Sequence, residues 1–182
     1  MEWGELDYLI IDFPPGTSDE PLTVAQSLPD IDGMVIVTTP QQVALLDSRK
    51  SITFSESLKV PVLGIVENMS GFTVNGTTSP GTEVSIAAPG GKTLAATADS
   101  EGNFSVTLDI FKEGGGKDTA VEFGVPFLGA LPFDPGFVRG GDDGVHRIVS
   151  EPEGPSALAF AQVVAAIQEQ LSDGADGGLE II

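Results

Sequence analysis

Asp12 closes an apolar run, Leu6-Asp7-Tyr8-Leu9-Ile10-Ile11, and delivers one carboxylate into the turn Phe13-Pro14-Pro15-Gly16-Thr17-Ser18-Asp19. A carboxylate at the end of a buried strand can hold magnesium through water. The backbone N–H of Gly16 can approach a γ-phosphate, because glycine has no side chain to obstruct it. The same residues also fit a plainer role, in which Asp12 caps its own turn. Two further apolar runs end in polar or turn-forming residues, at Val66-Glu67-Asn68-Met69-Ser70-Gly71-Phe72 and at Leu131-Pro132-Phe133-Asp134-Pro135. Ligands of open α/β sheets sit at the carboxyl ends of the strands, so these two segments are candidates beside Asp12 and Gly16. Asn68 would equally suit a simple strand-ending turn.

Three other segments carry weaker signals. Pro89-Gly90-Gly91-Lys92-Thr93 has the Gly-Lys-Thr end of a phosphate loop, but Ile86 stands where the earlier glycine is required, and Leu94 to Asp99 is too short for the helix that must follow. In Gly114-Gly115-Gly116-Lys117-Asp118 an aspartate replaces the Ser or Thr that would bind magnesium. The lone His146 has no second His or Cys with which to hold a metal and reads as a surface residue.

The elements that must position these groups follow from the hydrophobic pattern. Leu6 to Ile11 is a nearly continuous apolar run, as expected of a strand buried on both faces of a parallel sheet. Runs at 33–40, 60–68 and 125–132 repeat the design. Gln41 to Leu58 reads as a helix with Val43, Leu45, Leu46 and Ile52 turned inward, and strand, helix, strand at this spacing predicts a parallel sheet. Pro155 suits the first turn of a last helix, in which Phe160, Val163, Val164, Ile167 and Leu171 fall at helical spacing. That helix is expected to end near Gly174, in a Gly-rich tail.

Residues 73–108 differ in kind, with seven Thr, four Ser and five Gly against only four charged residues. Short alternating stretches separated by Pro89-Gly90-Gly91 and Asp99-Ser100-Glu101-Gly102 predict a small β-meander, hydrophobic on one face.

At 182 residues the chain can bury a real core. With no cysteine, neither a disulfide nor a thiolate metal site can be built from this chain alone. The net charge of −19 repels nucleic acid and anionic lipid, so neither is expected as a partner. The carboxylates are scattered and hydrophobic content is a normal 41%, so the acidity does not signal disorder. It suits a surface bathed in very high salt, where screening acts within roughly 3 Å at 1 M; an ordinary acidic protein is the alternative. No apolar run reaches the ~20 residues of a membrane span, and Met1-Glu2-Trp3-Gly4-Glu5 is unlike a signal peptide. A cytoplasmic protein is the expectation.

The motifs at 12–19, Thr38-Thr39-Pro40-Gln41, 67–72, Phe111-Lys112-Glu113-Gly114-Gly115-Gly116 and 131–135 together resemble the Mrp-type iron–sulfur cluster carriers, a MinD/ParA-like branch of the P-loop ATPases. The resemblance covers residues 1–72 and 109–171 and implies an ATP- and magnesium-binding fold. In it Asp12 serves magnesium, Gly16 the γ-phosphate, and Asn68, Pro132 and Asp134 the adenine. It further implies an incomplete doubly wound parallel sheet over 1–72 and 109–171, a β-rich insert over 73–108 and a flexible tail over 172–182.

Two parts of the family pattern are not matched here. Family members open with a phosphate-binding Gly/Lys loop, on the strand that normally lies beside the Asp12 strand. They also place a Cys-x-x-Cys pair just after the position of Phe72, which holds a cluster shared across a dimer. With neither present, the expectation is no cluster on this chain and no ATP hydrolysis by this chain alone. Implied partners are iron–sulfur acceptor proteins and either a second copy or a complementing N-terminal chain that carries the loop. A nucleotide-independent scaffold that uses the insert, or a non-functional gene fragment, are the alternatives.

Overall fold

The computed structural model describes residues 4–13, 19–28 and 31–176. In chain order these form α1 (Asp19–Ser27), β1 (Met34–Thr38), α2 (Gln42–Leu58), β2 (Val62–Glu67), β3 (Phe72–Thr77), β4 (Glu83–Ala88), β5 (Lys92–Thr97) and β6 (Asn103–Leu108). There follow α3 (Gly115–Phe123), β7 (Phe127–Ala130), α4 (Pro135–Asp143), α5 (Arg147–Ser150) and α6 (Pro155–Asp176). The last helix thus continues past Gly174.

The body is a three-layer α/β fold. Its sheet has the order β1-β2-β7, with both pairings parallel. Successive β2 residues face opposite ways, which gives the sheet two cores. Ile65 joins Ile36, Ile52 and Ala120 under α2 and α3. Val66 joins Leu128, Leu131 and Val163 under α6. Side chains as enclosed as Ile52 and Ile65 contribute about 1.5–3 kcal/mol each.

The buried face of α2 departs from the expected one. Leu45, Ser48, Ile52 and Ser55 are enclosed, whereas Val43 and Leu46 are exposed. Two serines complete the inner stripe because the Ser48 hydroxyl donates to Ala44 O at 3.0 Å and that of Ser55 to Val60 O at 2.7 Å, so neither is buried unsatisfied. Val164 of α6 is likewise exposed, while Ser156 and Ala157 lie inside.

The largest correction concerns Leu6 to Ile11. The segment pairs with no described strand, and its apolar side chains are exposed, Ile10 by 91%. Its Tyr8 hydroxyl accepts a bond from Gln168 Nε2 on α6 at 3.3 Å. The reason lies at β1. Met34 N donates to Pro61 O and Thr38 O accepts from Asn68 N, so the alternate residues Val35 and Val37 turn their N–H and C=O groups to the outer edge. No described strand occupies that edge. A parallel strand holds only inside a sheet covered on both faces, and an apolar run with no ladder beside it has nothing to pair with.

Residues 72–108 are β-rich as their pattern implies, but the strands nest rather than meander. β3 pairs with β6 and β4 with β5, both antiparallel, and one register runs from Phe72–Leu108 to Thr77–Asn103 and on from Glu83–Thr97 to Ala88–Lys92. The insert is therefore a single long hairpin, bent where Thr78 N meets Gly102 O and Ala98 N meets Thr82 O. Even-numbered residues, among them Val74, Val84, Ile86, Leu94, Phe104 and Val106, take the inner face of the bend. Odd-numbered Thr73, Asn75, Ser85, Ser105 and Thr107 face outward. An isolated two-stranded ribbon is marginal in water, and folding back gives this one a core of its own. The Phe104 ring lies over Gly76, opposite it in the ladder. Phe104 is only partly buried, and Phe104→Ala is expected to cost up to about 3 kcal/mol, seen as faster proteolytic cleavage between residues 78 and 102 with the α/β body intact.

Candidate functional site at the carboxyl ends of the strands

The three strand ends are tied into one surface by main-chain bonds. Asn68 N donates to Thr38 O at 2.7 Å, Leu131 N to Glu67 O at 2.7 Å, Ser70 N to Leu131 O at 2.9 Å, and Phe133 N to Gly71 O at 2.8 Å. The loop after β2 and the strap after β7 thus run side by side. Phe133 stacks edge-on with Phe72 at 5.7 Å and packs on Phe111 at 6.3 Å, which joins the strap to both feet of the hairpin arm.

Asn68 is half-buried, and its Oδ1 accepts from Met69 N at 2.9 Å. Its carboxamide nitrogen has no hydrogen bond among the described residues. Met69 is left-handed, with φ +57°. Pro132 lies half-buried in the strap.

The Asp134 carboxylate is committed to its own surroundings. It caps α4 by accepting from Gly136 N at 2.7 Å, takes the Ser156 hydroxyl at 2.7 Å, and pairs with Arg147 Nε at 3.0 Å. Burial alone would raise its pKa, but the Ser156 and Gly136 bonds and the Arg147 guanidinium together hold it below the ordinary carboxylate range. Arg147 is pushed up by its bond to Asp134 and by its pairing with Glu151. Any contact of Asp134 with a ligand is therefore left to its main chain.

Asp12 sits exposed at the end of the unpaired segment Leu6 to Ile11, with no hydrogen bond or ion pair on its carboxylate among the described residues. Gly16 lies outside the described residues. The fold thus brings Asn68, Pro132 and Asp134 to neighbouring strand ends and leaves Asp12 apart from their network.

Sequence reasoning missed the centre of this surface. Glu67, the last residue of β2, is 1% exposed. Its Oε1 accepts from the Ser70 hydroxyl at 2.6 Å and from Gly114 N at 3.0 Å, and its Oε2 accepts from Gly116 N at 2.7 Å. Gly114-Gly115-Gly116-Lys117 therefore does cradle an anion at a helix N-terminus, but the anion is this chain's own carboxylate. The readable signal was an acidic residue ending an otherwise apolar strand. Close approach calls for glycine at Gly115, where a Cβ would stand 2.9 Å from the main-chain oxygen of Pro40, and leaves little room at Gly116, where one would stand 3.1 Å from Glu67 Cβ.

The other Gly-Lys segment is the tip of the arm. There Gly90 and Gly91 are left-handed and a strand follows where a phosphate loop needs a helix. His146 is exposed and precedes α5. No cluster of metal-ligating side chains occurs among the described residues, and no described helix is long and apolar enough to cross a membrane.

Known proteins are similar to this chain. The ParA profile described as NUBPL iron-transfer P-loop NTPase matches residues 1–109 and 100–168. The chain belongs to this family. Among the iron-transfer P-loop NTPases, it is 39% identical over 169 residues to the iron-sulfur cluster carrier protein of Methanocaldococcus jannaschii, covering 93% of this chain and 48% of the relative. It is 42% identical over 164 residues to the cytosolic Fe-S cluster assembly factor NUBP2 homolog of Trichoplax adhaerens, covering 89% and 52%. A solved nucleotide-binding protein in complex with ADP, from Archaeoglobus fulgidus, superimposes with a TM-score of 0.54 at 34% identity, over 87% of this chain and 52% of that one. The chain spans about half the length of the curated relatives it matches. The α/β fold of this chain agrees with that of the solved relative.

Proposed function

We propose that this chain supplies the base-binding and magnesium-binding part of an ATP site that serves iron–sulfur cluster handling. Residues 1–72 and 109–171 act as the body and 73–108 as an accessory arm. The observation that carries the reading is the β1 edge. It is open along Val35 and Val37, and the chain carries an exposed, unpaired apolar segment that ends in a free carboxylate, Asp12. A strand bearing a Gly/Lys phosphate loop, from a longer form of this protein or from a complementing polypeptide, would pair with that edge and bring Leu6 to Ile11 into the sheet.

In this arrangement Asp12 would hold magnesium and Gly16 would serve the γ-phosphate. The Asn68 carboxamide NH2 faces the adenine, with the Pro132–Asp134 main chain closing over it. Magnesium suits an unpaired oxygen donor of this kind. When bound, the ion neutralises charge between the phosphates. The cluster is cargo rather than a resident group, passed to iron–sulfur acceptor proteins, since this chain has no thiolate of its own to hold it.

The reading is tested by titrating a fluorescent ATP analogue with magnesium against the chain, with and without a polypeptide carrying the Gly/Lys-loop strand. Binding is expected to tighten at least about tenfold with the complement and to lose its magnesium dependence in Asp12→Asn. Equal binding with and without the complement, or none in either case, overturns it. A second reading, in which the arm is a nucleotide-independent docking element, is favoured by its separate core; unchanged partner capture by a chain that binds no nucleotide would support it.

A further inference from the structure

Glu67 is a buried carboxylate with no cation beside it. None of the ion pairs among the described residues includes it, and its partners are one hydroxyl and two main-chain N–H groups. A charge placed so is retained only when its hydrogen bonds are complete, and here they are. Its donors come from both sides of the arm, Ser70 before it and Gly114 and Gly116 after it. Its own main-chain carbonyl takes Leu131 N from the strap. One residue therefore touches the Asn68 loop, the exit of the arm and the strap.

The backbone gives an independent sign of what these bonds hold. Among the described residues, the non-glycine ones with positive φ are Lys59, Met69 and Lys112. Lys59 closes α2 as an ordinary left-handed cap. Met69 lies in the loop that Glu67 holds through Ser70, and Lys112 lies two residues before Gly114. Such conformations persist where the surroundings over-determine them.

We infer that Glu67 is the positioning residue of the nucleotide-facing surface, an internal anion that fixes the Asn68 loop against the arm exit and the strap. The inference rests on the proposed base contact of Asn68 for its effect on binding, but its structural half is tested on the chain alone. Glu67→Gln keeps the shape and turns a carboxamide NH2 toward N–H donors. It is expected to raise amide exchange at 68–71 and 112–116 by about tenfold or more while β1 and the α2 core stay protected. Ser70→Ala, which removes one donor, should move the same amides by less. In Glu67→Ala, added acetate should restore protection and equimolar acetamide should not, because the site is built for an anion.

With the complemented protein, Glu67→Gln should also weaken adenine nucleotide binding by about tenfold. If the complemented wild type binds no nucleotide, the proposed function fails, and exchange with acetate rescue still decides the role of Glu67. Exchange raised uniformly along the chain, or no difference between acetate and acetamide, would overturn the inference and leave Glu67 a core residue like any other.

Discussion

Asp134→Ala is expected to lower the stability of this protein by about 2–3 kcal/mol, although the residue lies near the surface in a strap between β7 and α4. Three losses act together. The first turn of α4 gives up its cap, a change worth about 1 kcal/mol by itself. The buried Ser156 hydroxyl loses its acceptor. Arg147, whose side chain is only 25% exposed, is left with Glu151 alone. Urea denaturation at pH 7 measures the sum.

The same carboxylate fixes the sign of a pH effect. Its folded pKa lies below the unfolded value of about 3.9. Its contribution is therefore complete above pH ~4 and is lost as pH falls through the folded value. Wild type should lose stability over that acid range, and Asp134→Asn should show a shallower decline there. Parallel acid slopes in the two proteins would contradict the assignment.

Ile10→Asp is expected to behave in the opposite way, leaving this chain's own stability within about 0.5 kcal/mol while abolishing strand complementation. Ile10 is 91% exposed, so a charge there costs nothing in the fold as it stands. Once a strand occupies the β1 edge and Leu6 to Ile11 joins the sheet, the side chain enters a parallel interior. An unpaired carboxylate there should weaken docking by two orders of magnitude or more, on the order of 3 kcal/mol. Thermal unfolding of the chain alone, set beside pull-down of the loop-bearing strand, separates the two effects. Equal docking by variant and wild type would show that this segment stays outside the sheet.

Much of the body could be read from local pattern. The apolar runs at 33–40, 60–68 and 125–132 became β1, β2 and β7, and the helices at 42–58 and from Pro155 fall where periodicity put them. The run at Leu6 to Ile11 has the same local pattern, yet pattern records only what a segment would bury, not whether a neighbour is there to bury it. Serines 48 and 55 were hidden for a related reason. They satisfy their hydroxyls on nearby carbonyls, so a count of apolar residues passes over them. Nesting in the arm was illegible because alternation is the same for a meander and for a bent hairpin; only pairing distinguishes them. At the site, Asn68, Pro132 and Asp134 were placed by strand ends and family resemblance. The two main-chain donors to the Glu67 carboxylate stand 47 and 49 residues away along the chain, beyond the reach of any local rule.

The pairing of Phe72 with Leu108 carries a consequence for how such a protein changes over time. The arm enters and leaves the body at two residues that are already neighbours across a ladder. Everything beyond them can lengthen, shorten or be exchanged for a tight turn without altering the distance that the body must span. Closing a longer excursion between fixed ends adds only about 0.6 kcal/mol per doubling. The junction is therefore a port, where lineages can fit attachments of quite different chemistry to one unchanged engine.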